Sequence, residues 1–380
     1  MARNIANRVV GCVLCGMMAL SLMMGASAES VTEASTEAEG IIEEAKKLNE
    51  SRTGIQDTWT GPTDGPKAQQ GKKIVCVNAD SSNAIEAEWG ESVQKACKRI
   101  GWECTVIDGK GTVQGQTMAI NQAISMKVDG IVISADAEAL QASIIEAENA
   151  GIPTVGIHAT NTVGPVENLH LLYNICSDAT ETGEAMADYV IAVSEGNARV
   201  ITLVDGQYAI ARQKISAAQA RLKQVGTIEI LDEIDTPLSE VSSNMPQLAS
   251  SWISQYGTDE PIYVIAIADL YYDFVTATLS SGNVDTDKVF LIGSDGTEAA
   301  YRRIRNGEYQ VVTIPEPNTM FGYMAIDSLN RYFAGEEQFV WSPDVYLVTP
   351  DNVDKEGGTE NQFIPSNGYA DEYAKIWGVD

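Results

Sequence analysis

Apolar positions change period repeatedly along this chain, and the first clear change falls between Lys72 and Asp108. Ile74-Val75-Cys76-Val77 is a continuous apolar run, β-branched at three of its four positions, which predicts a buried strand. After a polar break at 78–83, Ile85, Trp89, Val93, Cys97 and Ile100 recur every three or four residues, the stripe of one helix face. Gly101 ends that helix, and Cys104 to Ile107 reads as the next strand. The loop after the first strand contains no glycine, so it is built to reach a ligand with side chains and not to cradle a phosphate on its backbone.

The same alternation continues. It predicts helix 117–124, strand 130–133, helix 137–150, strand 154–157 and strand 170–175. It then restarts with helix 180–193, strand 200–204, helix 211–224, strand 228–231, helix 244–255, strand 262–267 and helix 271–279. Strand 289–292, helix 298–305, strand 311–314, helix 319–333 and a last strand, 345–348, complete the pattern before an acidic tail. Strands alternating with long helices mean parallel sheets with right-handed crossovers. The expected fold class is therefore α/β, with two doubly wound parallel-sheet lobes, because so many strands suit two sheets better than one.

Length and charge add bounds. The 380 residues suffice for two domains, and a net charge of -28 argues against nucleic acid and anionic membrane surfaces as partners. Arg3 and Arg8, the apolar run from Val9 to Met24 and Ala26-Ser27-Ala28 have the order of a secretory signal, giving export with cleavage after Ala28; lipid attachment at Cys12 or Cys15 is the alternative. Residues 29–71 read as an acidic, partly disordered leader outside any core, with one short helix over 41–48 and Trp59 resting on the folded body. Cys76, Cys97, Cys104 and Cys176 lie on apolar faces and are expected as buried free thiols, a Cys97–Cys104 bridge being the open alternative. No Cys/His spacing suggests a metal, and neither a cofactor nor a metal is expected.

Five stretches carry a family resemblance: IVCVNADSSNAIEAEWGESVQKA from Ile74, DGIVISADAEALQASIIEAENAGIPTVGI from Asp129, SDATETGEAMADYV from Ser177, VFLIGSDGTEAAYRRI from Val289 and VTIPEP from Val312. In this order and spacing the chain from Lys72 to about Val353 resembles the sugar-binding proteins of the ribose/galactose type, the substrate-capturing subunits of ABC transporters (type I periplasmic binding proteins). The resemblance implies two discontinuous lobes joined by hinge crossovers near Ser177 and Glu316. Residues 72–175 plus 316–342 would form the first lobe, and 176–315 plus 343–380 the second. It also implies a monomer that closes on a small ligand and delivers it to a permease.

By the same resemblance, ligand contacts fall on Asn83, Ile85, Glu86, His158, Ala159, Lys214, Ala268, Asp295 and Glu316. Asn83 and Asp295 keep the family's usual residue types. Ile85-Glu86 stands where an aromatic pair would stack on a sugar, His158-Ala159 replaces Asp-Arg, Lys214 an arginine, Ala268 an asparagine and Glu316 a glutamine. Ribose fits these changes poorly. From the residues alone, Asp136 and Asp295 both follow an apolar strand and precede a helix, where a carboxylate either meets ligand or caps the helix. Trp89 lies on a core stripe, while Tyr208, Tyr271 and Tyr272 are candidate stacking surfaces, and Asp269 reads as a helix cap or interlobe partner. Five acids, Asp80, Glu86, Asp136, Asp295 and Glu316, are expected to face the cleft against His158 and Lys214, which favours a neutral, hydroxyl-rich or amine-bearing ligand.

Two other functions compete. A binding protein reporting to a chemoreceptor or sensor kinase, for example of a furanosyl signal, would have the same fold and pocket. A secreted hydrolase would need a nucleophile and base, and the chain has no G-x-S-x-G elbow and only two histidines, His158 and His170. An enzyme is not expected.

Overall fold

The computed structural model describes residues 36–257 and 259–379. The signal segment and its cysteines therefore lie outside the described residues. Helix α1 covers 36–53. The first sheet is assembled from β1 (Lys73–Asn78), β2 (Glu103–Asp108), β3 (Gly130–Ile133), β4 (Thr154–Ile157), β5 (Gly164–Val166) and β6 (Leu171–Ile175), in the order β2-β1-β3-β4-β6-β5. All its pairs are parallel except β5–β6. Helices α2 (Ala84–Ile100), α3 (Val113–Met126) and α4 (Gln141–Asn149) connect its first strands.

The second sheet holds β7 (Arg199–Val204), β8 (Glu229–Asp235), β9 (Ile262–Ala266), β10 (Val289–Asp295) and β11 (Gln310–Pro315), ordered β11-β10-β9-β7-β8 and parallel throughout. Around it lie α5 (Ala179–Val193), α6 (Ala209–Lys223), α7 (Val241–Tyr256), α8 (Thr276–Ser281) and α9 (Glu298–Asn306). Then α10 (Asn318–Ala334) returns to the first sheet, and α11 (Tyr369–Trp377) ends the chain. The two-sheet α/β architecture read from the sequence is the one observed.

Local chemistry explains where the elements start and stop. Asn83 caps α2 by accepting the Ile85 amide, and Gly101 ends it in the left-handed region at φ 87°. Asp178 likewise caps α5, just after the chain leaves the first sheet. The stripe of α2 buries Trp89, Val93, Cys97 and Ile100 against Ile74 and Cys76 of β1 and against α10.

Several expectations need correction. Segment 345–348 is no strand: Val348 forms only an isolated antiparallel bridge with Thr313, while the Leu347 amide is taken by the Arg52 carbonyl at 2.9 Å. The predicted helix 271–279 is a 3-10 turn, Asp269–Phe274, followed by the short α8. The tail is not wholly part of the second lobe, because α11 buries Tyr373, Ile376 and Trp377 in the first lobe's core. The described cysteines are all free, Cys97 and Cys104 included.

The leader, too, differs from expectation, since its described part joins both cores. Ala45 of α1 is buried in the second lobe's core. Farther along, Trp59 stands edge-on to Trp341 and Tyr373, both at 5.3 Å, and Gln69 donates its amide to Asn330 of α10. The segment therefore straps the two lobes on the hinge side. Its firmest anchor is Asp188 of α5, 1% exposed, which accepts from Arg52 at 2.7 Å and from Arg221 at 2.8 Å. Removing that acceptor leaves the largely buried Arg52 guanidinium without its partner and leaves Arg221 to Glu44 and Gln224. Asp188→Ala should cost about 3–5 kcal/mol, read as a lowered urea midpoint; a loss below about 1 kcal/mol would mean that solvent replaces the anchor.

Candidate ligand-binding site

The carboxyl ends of both sheets face each other across a cavity of about 330 Å³. From the first lobe it is lined by Asn83, Ile85, Glu86, Trp89, Ser134, His158 and Asn318, and from the second by Tyr208, Ile210, Ala211, Lys214, Leu238, Ile267, Ala268 and Asp295. Glu316 sits in the crossover between β11 and α10, so it borders the cavity from the hinge.

His158 follows β4 with φ 53°, a conformation held by its amide donating to the Ile175 carbonyl at 2.7 Å. Its ring lies parallel to the Trp89 indole at a centroid distance of 5.1 Å, and Phe321 packs on it at 5.7 Å. Trp89 donates its indole N–H to Asn318 Oδ1 at 2.8 Å. Trp89 is thus both a core residue and a cavity wall, where the sequence suggested core alone. His158 Nε2 is 2.8 Å from Glu316 Oε2. Burial by itself would raise the Glu316 carboxyl, but the charge and contact of His158, with Lys214 and Ser177, outweigh it and hold the group down at about 2.

Lys214, on the first turns of α6, points its ammonium at the Ile267 carbonyl (3.2 Å) and Ser294 Oγ (2.9 Å). Glu86 accepts from the Asp80 amide at 2.6 Å and from Ser134 Oγ at 3.3 Å, and burial pushes its carboxyl up despite these bonds.

Asp295 is the exceptional group. It stands at the end of β10 with φ 97°, and it caps nothing, since Thr297 supplies the cap of α9. Its one side-chain hydrogen bond among the described residues is a long one, 3.4 Å, from Ser294 Oγ. That hydroxyl has a single proton, already aimed at the Ile267 carbonyl at 2.5 Å. Burial, with only Lys214 to offset it and with Asp269 and Glu316 adding negative charge, raises the Asp295 carboxyl to about 8. This half-buried carboxyl has no good partner in the protein and is free to pair with a ligand group, donating when protonated and accepting when ionised.

The structure brings together six of the expected contacts: Asn83, Glu86, His158, Lys214, Asp295 and Glu316, with Ile85 and Ala268 beside them. Asp136 is not among them. It is exposed and accepts the Glu138 amide at 2.9 Å, which is the turn-capping role. Ala159 is buried behind the wall, and Asp80 binds the amide and hydroxyl of its neighbour Ser82. The cavity therefore holds three carboxyl groups, not five. Tyr208 lines it, whereas Tyr271 and Tyr272 are buried, the first donating to the Thr236 carbonyl and the second sharing its one proton between the Val264 and Ile292 carbonyls. Ser134, Ile210, Leu238 and Asn318 were not foreseen; only Ser134, at a strand end, and Asn318, just after Glu316-Pro317, carried a positional signal.

A family model described as a periplasmic binding protein domain matches residues 74–337, more than half of the chain. The chain belongs to the periplasmic binding proteins. Its family consists of solute-binding proteins that are not enzymes. One relative, the ribose import binding protein of Bacillus subtilis (strain 168), is 20% identical over 248 residues, covering 65% of this chain and 77% of the relative. Among solved structures, the arabinose-transporter binding component of Shewanella sp. ANA-3, bound to α- and β-L-arabinofuranose, matches with TM-score 0.63 at 17% identity, over 80% of this chain and 95% of that one. The Caulobacter myo-inositol binding protein with myo-inositol bound gives TM-score 0.65 at 17% identity, over 78% and 99%. At these identities the structural likeness establishes the fold. The parts of this periplasmic binding protein outside 74–337 include the strap and α11.

Two titrations follow, with opposite signs. Glu316 lies below the ordinary glutamate value, so its contribution to stability is present above about pH 4.3 and is lost as pH falls toward 2. Asp295 lies above the ordinary aspartate value, so the folded state loses stability as pH rises from about 4 toward 8. The melting temperature of Asp295→Asn relative to the unliganded parent should therefore climb between pH 5 and pH 8, reflecting about 1–3 kcal/mol of relieved desolvation. A difference that does not vary with pH would show that Asp295 is already satisfied.

Proposed function

We propose that this protein captures a small, neutral, hydroxyl-rich solute, a monosaccharide or polyol, between its lobes by hinge closure, and delivers it to an ABC transporter permease outside the cytoplasm. The observation that carries this reading is the poorly partnered Asp295 carboxyl in an interlobe cavity of about 330 Å³. That volume lies at the small end of ligand sites, roughly 300–1,000 Å³, and suits one sugar ring better than a chain of them.

The rest of the wall fits the same class. Glu86, Asn83, Glu316 and Lys214 offer acceptors and donors, while Trp89, Ile85, Ile210 and Leu238 offer apolar surface to ring carbons. Leaving such polar groups unpaired costs about 1–3 kcal/mol each, which is how a hydrogen-bonding site rejects solutes lacking the right hydroxyls. Names of similar proteins (ribose, arabinofuranose and myo-inositol binders) agree with the class without choosing a member. Glu316 is held ionised, and an anionic sugar would meet that charge, and oppose the ionisation of Glu86 and Asp295, in a partly dry cavity where screening is poor. Export fits the family, and residues 1–28 would supply the signal.

Thermal-shift screening of the mature protein should find stabilisation by a neutral sugar or polyol and none by sugar phosphates or uronates. By calorimetry Asp295→Ala should bind that solute on the order of 30-fold more weakly, about 2 kcal/mol. Affinity within threefold of the parent, or tight binding of a sugar phosphate, would contradict the reading. Intact-mass analysis of secreted protein should give a chain starting at Glu29; retention of Met1 would refute export by cleavage.

A further inference from the structure

Asp295 and Gly296 are consecutive residues with positive φ, 97° and 71°. For a residue with a β-carbon that conformation is sparsely populated and persists only when its surroundings enforce it. The enforcing group is one the binding reading does not use. Asp269, the first residue of the turn after β9, is fully buried. Its Oδ2 accepts the amides of Gly296 at 2.9 Å and Thr297 at 3.1 Å, together with the Thr313 hydroxyl at 2.9 Å. Its Oδ1 accepts from Gln310 Nε2 at 2.7 Å.

The second layer is equally directed. Arg303 donates Nε to Gln310 Oε1 at 2.7 Å and Nη2 to the Asp269 carbonyl at 3.1 Å, and it pairs with Asp273. A β-carbon at Gly293 would overlap the Asp269 carboxylate, so glycine there makes room for it. Donors from the connection between β10 and α9 and from β11 thus converge on a carboxylate supplied by the loop after β9. This differs from the helix cap or interlobe partner that the sequence suggested. Asp269 bonds the loop beneath the cavity and does not line the cavity itself.

We propose that Asp269 is a positioning residue of the ligand site: through the Gly296 and Thr297 amides it fixes where the Asp295 carboxylate stands in the cleft. The inference rests on the reading of Asp295 as a ligand contact. The two carboxyls also sense each other, since the Asp269 charge is one of the causes that raise Asp295. The other ionisable groups interacting with Asp269 are Arg303, Tyr272 and Tyr301, with Asp273 behind Arg303.

The test needs no known ligand. In protein labelled with ¹³C-aspartate, the Asp295 carboxyl resonance is identified by its loss in Asp295→Asn, and its midpoint in the parent should lie near 8. Asp269→Asn removes the like charge and turns an amide donor toward other donors. It should lower the Asp295 midpoint by about one unit or more. D-ribose, L-arabinose and myo-inositol serve as binding probes, and whichever binds the parent should bind Asp269→Asn about tenfold or more weakly.

Should Asp269→Asn fail to fold, Thr313→Val removes one donor to Asp269 together with a 3.2 Å acceptor of the Gly296 amide, while Thr313→Ser retains both. The valine variant should displace the Asp295 resonance and midpoint, and the serine variant should match the parent. A residue that only holds the lobe together would leave the Asp295 titration where it was. Parent-like midpoints in both Asp269→Asn and Thr313→Val would therefore overturn the proposal. Asp295→Ala in the same series separates the two claims. Parent-like probe binding there refutes Asp295 as a contact, and with it the functional part of this inference, while the midpoint still reports whether Asp269 positions the side chain.

Discussion

Ionising a carboxyl that is half-buried and poorly partnered is unfavourable, and in this protein such a group sits at the meeting of two lobes. The Asp295 carboxyl is held in a left-handed backbone conformation, shares no cap with α9, and has only a long contact to a hydroxyl whose proton is committed elsewhere. Such a group weighs on the stability of the protein, and on the proposed reading a bound solute relieves it. Binding affinity and unliganded stability are therefore drawn from the same free energy, as expected when a site is preorganised by its surroundings. The neighbouring groups already have close partners: Glu316 Oε2 lies 2.8 Å from His158 Nε2, and Lys214 donates to the Ile267 carbonyl and Ser294. This leaves Asp295 as the group with most to gain.

Around that site the chain crosses between lobes more often than its family-matched segment requires. Residues 176–178 and 316–317 link the sheets near the cavity, and residues 335–345 carry the chain from α10 back to the second lobe. The strap and the approach to α11 add two more passages, and they touch each other through Trp59 and Tyr373. Glu316 belongs to one of the crossings and contacts His158 of the first lobe while feeling Lys214 of the second. Hinge geometry and cavity electrostatics are consequently not separable in this fold.

The sequence disclosed the architecture because burial imposes periodicity. The β-branched run at 74–77 and the stripe Ile85, Trp89, Val93, Cys97 and Ile100 have one easy solution, a strand followed by an amphipathic helix. It misled where two solutions share a pattern. Val345 to Val348 is apolar enough for a strand, yet the competing acceptor is a leader carbonyl nearly three hundred residues earlier. Tyr373, Ile376 and Trp377 have helical spacing, but acidic surroundings hid a helix that docks on the first lobe. Asp136 and Asp295 were indistinguishable as acids between strand and helix. In the folded chain Asp136 caps its own turn, while Thr297 takes that task beside Asp295. Leu238 and Ile210 gave no signal at all, because a cavity wall built from apolar side chains has no period of its own.

Capture between moving lobes is the claim on which the account stands, and small-angle scattering tests it most directly. The mature protein should be measured alone and saturated with a solute shown by calorimetry to bind. The account predicts a smaller radius of gyration and a shorter maximum dimension in the bound state, as the two sheets close on the cavity. Superimposable profiles at saturation would contradict it.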